Sequence, residues 1–482
     1  MELPGRASGM GTVVPRGVVP CAALRRPFIL LQLLVAPPIH TLGQTRTSPH
    51  LKGDTLTLAA KFVIRGGRPL SGRICVGGAK NSALPIVTAA ALASEGESIL
   101  GNVPNNSDIQ HLCAILTDLG CELEWVEADC LRVRAAELTN HVAPYNIARK
   151  LRGSTYVMGL LLARLGRGEV ACPGGCEIGA RPVDFHIKGF KALGAEVVVE
   201  RGAMVAENVH LRGNRFYVDR ASVGTTVNMI ITASLTPGTT ILENAACEPE
   251  IVDLANYINA MGGRVRGAGT NTIRIEGVSK LHGTRHEIIP DRIEAGTYVM
   301  MAAAVGGDVQ VVNCIPEHLS TVIAKLREAG QDVEEHLDSL RVRAHRPIRS
   351  TDVETQVHPG FPTDLQSPWV ALMGLADGIC VVHETIFENR FGFVNELTRM
   401  GANVKVDRNT AIVRGVDRYI GAPVEARDIR GGAALVLAGL AAEGVTEVGG
   451  VRFLDRGYHR MEEKLAQLGA DIHRVEVPEN NV

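Results

Sequence analysis

One turn recurs six times along this chain, and its spacing limits what the chain can fold into. A helical segment closes on a small-residue turn and leads into a strand at Leu119-Gly120-Cys121, Leu193-Gly194-Ala195, Met261-Gly262-Gly263, Ala329-Gly330-Gln331, Met400-Gly401-Ala402 and Leu468-Gly469-Ala470. The six glycines lie 74, 68, 68, 71 and 68 residues apart. A helix whose end turns into left-handed backbone favours glycine there, so the repeated glycine marks a repeated helix end. A near-constant period of about 70 residues signals a duplicated supersecondary unit that needs its neighbours to close a core. Six units fit two domains of three better than three domains of two.

Each unit carries a second kind of helix. Residues 82–93, 157–163, 227–235, 298–305, 369–375 and 433–441 are apolar almost all round, and a helix without a polar face belongs inside. The helices that end at the repeated glycines, such as 108–119 and 460–468, are amphipathic. Short alternating stretches such as 131–134 and 272–275 read as strands. The expected fold is α/β, built from six repeated units with apolar helices inside and sheets outside. The expected division is an extension over residues 1–57, one domain from 58–79 plus 245–482, and another from 80–244.

Composition narrows the function classes. Apolar residues at 45% and charged residues at 21% describe an ordinary globular chain of 482 residues. A formal charge of −2 and 4% aromatics give neither the electrostatics nor the stacking surface for nucleic acid. Ten cysteines without a CxxC pair or metal-ligand spacing point to a reducing compartment. The first residues differ: no acid occurs from Leu3 to Gly53, while Arg6, Arg16, Arg25, Arg26 and Arg46 do. The apolar run 28–36 is too short to span a bilayer, and no small-residue cleavage site follows it. The segment therefore reads as a disordered or cleaved extension of a cytoplasmic protein.

The reactive side chains share an address. Lys80, Arg152, Arg292 and Arg430 precede or open apolar helices, and Cys176, Arg181, Arg390 and Arg456 precede amphipathic ones. Asp, Ser and Asn at such places are ordinary caps, but Arg is not a favoured cap. Helix N-termini with added guanidinium groups make sites for phosphate or carboxylate. Cys176 lies in a loop with glycines at 174, 175 and 179, and Pro182 then suits the first position of a helix. A thiol beside an arginine and a helix N-terminus has its pKa lowered. Gly77-Gly78-Ala79-Lys80-Asn81 lacks the spacing of a nucleotide-triphosphate loop, and no dinucleotide fingerprint occurs.

Several motifs together resemble the UDP-N-acetylglucosamine 1-carboxyvinyltransferases of the enolpyruvyl transferase family. They are Gly78-Ala79-Lys80-Asn81, Pro173-Gly174-Gly175-Cys176, Gly179-Ala180-Arg181-Pro182-Val183-Asp184 and Ser222-Val223-Gly224-Thr225. The series continues in order through Glu248-Pro249-Glu250-Ile251-Val252-Asp253, Pro290-Asp291-Arg292-Ile293-Glu294, Phe361-Pro362-Thr363-Asp364, Phe387-Glu388-Asn389-Arg390-Phe391 and Asp455-Arg456-Gly457-Tyr458. The resemblance implies a two-domain inside-out α/β barrel with the active site between the domains. It implies transfer of the enolpyruvyl group of phosphoenolpyruvate to the 3-hydroxyl of UDP-N-acetylglucosamine, with no metal and no organic cofactor; a monomer or weak oligomer without a membrane partner is expected.

The same resemblance assigns residues. Lys80, Arg181 and Arg456 hold phosphoenolpyruvate, with Arg390 and Arg430 nearby. Asn81, Arg152, Arg181, Pro182, Val183, Asp184, Phe185, Arg220, Ala221, Ser222, Val223, Asp364 and Ile386 hold the sugar nucleotide. Cys176 corresponds to the proton donor and Asp364 to the general base, whose basicity partial burial is expected to raise. A thiolate at Cys176 is a poor acid, so bound phosphoenolpyruvate is expected to raise the thiol pKa and switch it to its acid form. Cys247 stands where the family usually has Arg, Gly153 replaces Ala, and Ile429 with Gly431-Gly432 replaces Leu and Ala-Ser. The rivals are a 3-phosphoshikimate 1-carboxyvinyltransferase, which has no use for the Cys176 loop, and a silent sugar-nucleotide-binding paralogue.

Overall fold

The computed structural model describes residues 58–172 and 183–478. The six repeated glycines all adopt positive φ, between 87° and 104°. In five of the turns the amide after the glycine reaches back to a carbonyl five residues earlier, as from Cys121 to Leu116 at 2.9 Å and from Gln331 to Leu326 at 3.0 Å. That 6→1 bond closes the helix and lets the strand leave in a fixed direction.

The apolar segments form the helices Lys80–Ala90, Thr155–Leu165, Val223–Leu235, Arg292–Val305, Gln366–Met373 and Ile429–Ala441. Almost every residue of the last four is buried, down to the threonines and glycines. The helices Ser107–Asp118, Asp184–Ala192, Pro249–Ala260, Ser320–Glu328, Val394–Arg399 and Met461–Gln467 bury one face each.

Among the described residues, five four-stranded sheets and one three-stranded sheet follow one plan. In the sheet of Ser98–Gly101, that strand pairs parallel with Arg285–Glu287 and antiparallel with Cys130–Arg134, which pairs antiparallel with Glu122–Glu127. Asp308–Val312 has the same three relations, with Ser71–Cys75, Ser339–Arg343 and, through the last, Asp332–Glu335. The three-stranded sheet lacks the parallel strand, but a single parallel bridge from Val142 to Glu169 stands in its place. The last sheet joins the first and last described strands, since Leu58–Arg65 pairs with Val445–Gly449 and with Asp471–Pro478.

Buried side chains separate into two cores. One contains Phe62 to Val76 and Ile293 to Ile472; the other contains Ala83 to Ile288. The chain therefore crosses between cores near residues 76–83 and again near 288–293, and not at 245 as expected. A cut at 245 would split the third unit, whose Leu254, Tyr257 and Ile273 are fully buried in the second core. At the crossing the two segments pair: Gly78 bridges Pro290, the Ala79 amide donates to Ile289 O at 2.7 Å, and the Asp291 amide donates to Gly77 O at 2.9 Å. Gly78 has no alternative there, because a Cβ would sit 1.7 Å from Asn102 O.

Candidate active site

Lys80 opens its helix directly after the crossing, and the residue before it, Ala79, offers no capping side chain. Asp291 supplies the cap from the other segment. Its Oδ2 accepts the Lys80 amide at 3.3 Å, while its Oδ1 caps the helix Arg292–Val305 through the Ile293 and Glu294 amides at 2.8 and 3.0 Å. One carboxylate thus caps two helices and fixes the base of the lysine.

The Lys80 ammonium is buried and lies 3.4 Å from Asp108 Oδ2. Asp108 occupies the first turn of the helix Ser107–Asp118, behind an Asn106 cap, and its Oδ1 accepts Arg456 Nε at 2.9 Å. Burial would raise the Asp108 carboxyl, but Lys80 and Arg456 outweigh it and hold the pKa below its usual value. Burial lowers the Lys80 pKa, with Arg430 and Arg456 adding to the effect and Asp108 and Asp364 opposing it.

Asp364 lies in the turn Thr363–Leu365 that leads into the helix Gln366–Met373. Its Oδ1 accepts Arg390 Nη2 at 2.8 Å and its Oδ2 accepts Arg430 Nη2 at 2.9 Å. Arg430 sits in the first turn of its helix, capped by Asp428, and lies 5.3 Å over the Tyr458 ring. Desolvation alone would raise the Asp364 pKa, yet the two guanidinium groups, with Lys80 behind them, hold it well below the usual carboxylate range. The expectation of raised basicity is therefore overturned for the ligand-free protein. The same arginines that pack against this half-buried carboxylate also neutralise it.

Lys80, Asp364, Arg390, Arg430 and Arg456 thus form one cluster, with Asp108 added. Its four cations are paired with these two carboxylates, and Asp291 lies beside them. Arg292, which shares their address in sequence, does not join: its guanidinium makes a buried two-pronged pair with Glu250, at 3.0 and 3.3 Å.

Of the residues expected at the sugar nucleotide, Arg220 and Arg152 reach from the second core's part of the chain to residues 385–387 of the first. Arg220 donates to the carbonyls of Thr385 and Ile386 at 2.7 and 3.1 Å, beside a hollow of about 250 Å³ that also borders Phe387 and Glu388. The Arg152 guanidinium lies 5.9 Å from the Phe387 ring centre, and Arg390 lies 5.4 Å from it. Ser222 caps the helix Val223–Leu235 through the Thr225 amide at 3.3 Å, with Ala221 just before it. Val183 precedes the helix Asp184–Ala192, where Lys188 lies 5.8 Å from the Phe185 ring. In that helix His186 Nδ1 meets Asn228 Nδ2 at 2.8 Å, and burial lowers its pKa to about 4, Arg152 assisting. Asn81 follows Lys80, half-buried. Cys176, Arg181 and Pro182 lie outside the described residues.

Sequence reasoning missed Asp108. An acidic residue in a first helical turn behind an Asn cap is ordinary, and only contacts over 28 and 348 residues of chain give this one meaning. Among the described residues no group of three or more His, Cys, Asp and Glu is arranged to hold a metal ion, and no helix is long and apolar enough to cross a membrane.

A family described as EPSP synthase (3-phosphoshikimate 1-carboxyvinyltransferase) matches residues 64–465. UDP-N-acetylglucosamine 1-carboxyvinyltransferase 2 of Symbiobacterium thermophilum is 80% identical over 418 residues, which are 87% of this chain and 99% of that protein. UDP-N-acetylglucosamine 1-carboxyvinyltransferase 3 of Caldanaerobacter subterraneus is 49% identical over 415 residues, 86% of this chain and 99% of that protein. The crystal structure of the enolpyruvyl transferase NikO from Streptomyces tendae superposes with a TM-score of 0.79 at 24% identity, over 88% of this chain and all of that one. EPSP synthase from Acinetobacter baumannii superposes at 0.70 and 18% identity, over 87% of this chain and all of that one. The last two likenesses establish a shared two-domain α/β fold.

Proposed function

We propose, from the premise that this chain belongs to the EPSP synthase family of enolpyruvyl transferases, that it acts as a UDP-N-acetylglucosamine 1-carboxyvinyltransferase. It transfers the enolpyruvyl group of phosphoenolpyruvate to the 3-hydroxyl of UDP-N-acetylglucosamine and releases phosphate, the first committed step of peptidoglycan precursor synthesis in the cytoplasm. The observation that carries this reading is the 80% identity to a protein of that name over nearly its whole length. The six like sheets and buried helices support an architecture of two inside-out barrels, three units each, with the division at the crossings near 76–83 and 288–293.

In this reading Lys80 and Arg456 bind phosphoenolpyruvate with Arg181, and Arg390 and Arg430 lie close. Asn81, Arg152, Arg181 to Phe185, Arg220 to Val223, Asp364 and Ile386 hold the sugar nucleotide. The 3-hydroxyl oxygen bonds to carbon 2 of the enol while carbon 3 takes a proton from Cys176. Loss of phosphate from carbon 2 and of a proton from carbon 3 then restores the double bond. Asp364 must accept the hydroxyl proton, which its two arginines oppose in the ligand-free protein. A dianionic phosphate and a carboxylate placed among Lys80, Arg390, Arg430 and Arg456 would share those cations and return basicity to Asp364. The base thus gains strength only when the donor substrate is present.

Phosphate release from phosphoenolpyruvate, measured with UDP-N-acetylglucosamine and with shikimate 3-phosphate, tests the assignment. Release with the sugar nucleotide alone is expected. Release with shikimate 3-phosphate, or with neither acceptor, would remove it.

A further inference from the structure

Lys80 has a positional problem. Its ammonium shares a buried space with Arg430 and Arg456, which repel it, and its bond to Asp108 is long at 3.4 Å. Attraction at the tip does not fix such a side chain, so its backbone must be held from behind. Asp291 accounts for one point of attachment, at the Lys80 amide.

A second carboxylate, which no catalytic role uses, supplies another. Asp253 belongs to the helix Pro249–Ala260 and is buried, with three donors converging on it. Ser82 Oγ donates to its Oδ2 at 2.5 Å and the Ile289 amide donates to the same oxygen at 3.2 Å. His286 Nε2 donates to Oδ1 at 2.8 Å. Ser82 lies two residues after Lys80, and Ile289 lies two residues before Asp291. One oxygen therefore joins the outgoing and returning segments of the crossing. His286 is itself seated against the Tyr257 ring, with centroids 5.2 Å apart, and Tyr257 donates to Ser98 Oγ at 2.7 Å.

We propose that Asp253, with Ser82 and His286 as donors, is a positioning residue for Lys80. It rivets the first turn of the Lys80 helix to the returning segment, so that the ammonium stays aimed into the cleft against the repulsion of the two arginines. The inference rests on the reading of Lys80 as a ligand of phosphoenolpyruvate. Hydrogen bonds to a buried carboxylate are charge-assisted, and removing the acceptor leaves Ser82 and His286 without a partner. The consequence is selective. The donor substrate should feel the loss, whereas the sugar nucleotide, held by Arg220, Ser222 and Ile386 elsewhere in the cleft, should not.

The test compares Asp253→Ala, Asp253→Asn, Ser82→Ala and His286→Phe in the full chain by steady-state phosphate release. Asp253→Ala is expected to raise KM for phosphoenolpyruvate about tenfold and to lower kcat, with KM for UDP-N-acetylglucosamine within about twofold of the wild type. Asp253→Asn, which keeps one acceptor oxygen, should recover part of the loss. Ser82→Ala and His286→Phe should each show the same split at about threefold, and they carry the test if Asp253→Ala does not fold. Equal rises in both KM values, or a lower melting temperature with both KM values unchanged, would overturn the proposal. The rate at which an amine reagent labels Lys80, read by peptide mass, is independent of the reaction. If the wild type released no phosphate, the assigned activity would fail. A labelling rate changed at least threefold in Asp253→Ala would still sustain the brace, and an unchanged rate would overturn it.

Discussion

Asp364 and Asp108 are each gripped by two cations, yet the two clamps differ in origin. Asp364, Arg390 and Arg430 all belong to the part of the chain that builds the first core, and the arginines are 3% and 5% exposed. Asp108 belongs to the second core's part, Arg456 to the first, and Lys80 to the crossing between them. The Asp364 clamp is complete within one half of the molecule. The Asp108 clamp joins the halves through Arg456. One is confined to a single half, and the other includes a contact between the halves.

The largest expected effect breaks the first clamp. Asp364→Asn removes the charge that Arg390 and Arg430 share and the only base the reading assigns. Turnover should fall by about 10² to 10⁴-fold at saturating substrates, the range for loss of a positioned acid or base. Turnover within tenfold of the wild type would take the base role from this residue.

Acid sharpens the comparison, because it should leave both clamps intact. A carboxyl whose folded pKa is depressed adds stability that is present above its unfolded pKa, near 3.9, and is lost as pH falls through the lower folded value. Asp108 and Asp364 are both depressed, so neither explains a weakness at mild acidity. His186 does. Its pKa is about 4 when folded, against an ordinary value near 6.5, so between these values the unfolded chain binds a proton that the native chain refuses. Its share of the stability should therefore fall as pH drops from about 6.5 to 4, by roughly 3 kcal/mol, and burial lowers His318, His358 and His459 in the same direction. His186→Gln should flatten that part of the curve of melting temperature against pH. An unchanged slope in the variant would place the acid weakness elsewhere.

The sequence disclosed these regions unequally, for physical reasons. The repeat was legible because helix ends need left-handed glycine and buried helices need apolar residues, both of which are local demands. Lys80, Asp364, Arg390, Arg430 and Arg456 were legible as motif residues, and their convergence followed from the repeat. Arg292 shows the limit: it sits at the same kind of helix start but meets Glu250, which lies 42 residues away. Asp108 and Asp253 were illegible, since an acid in a helix carries no sign of the partner that tertiary packing will bring to it. The crossing was misplaced at 245 for a similar reason. Periodicity counts the units, whereas core membership decides where one half stops.

The smallest effects should come from the second clamp. Asp108 competes with any anion for Lys80 and Arg456, so Asp108→Asn should strengthen binding of inorganic phosphate to the free protein, by up to about tenfold. Salt should separate the clamps further. Arg456 is 30% exposed, so its coupling to Asp108 faces solvent ions and should stay near or below about 1 kcal/mol, shrinking as ionic strength rises. The Asp364–Arg430 pair is shielded by burial of its arginine and should change little over the same range. Double-mutant cycles for each pair at about 0.05 and 0.5 M salt measure this directly. Equal salt sensitivity in the two cycles, or weaker phosphate binding in Asp108→Asn, would mean that the clamp across the cleft is as fixed as the one inside a single half, and that the anion does not replace it.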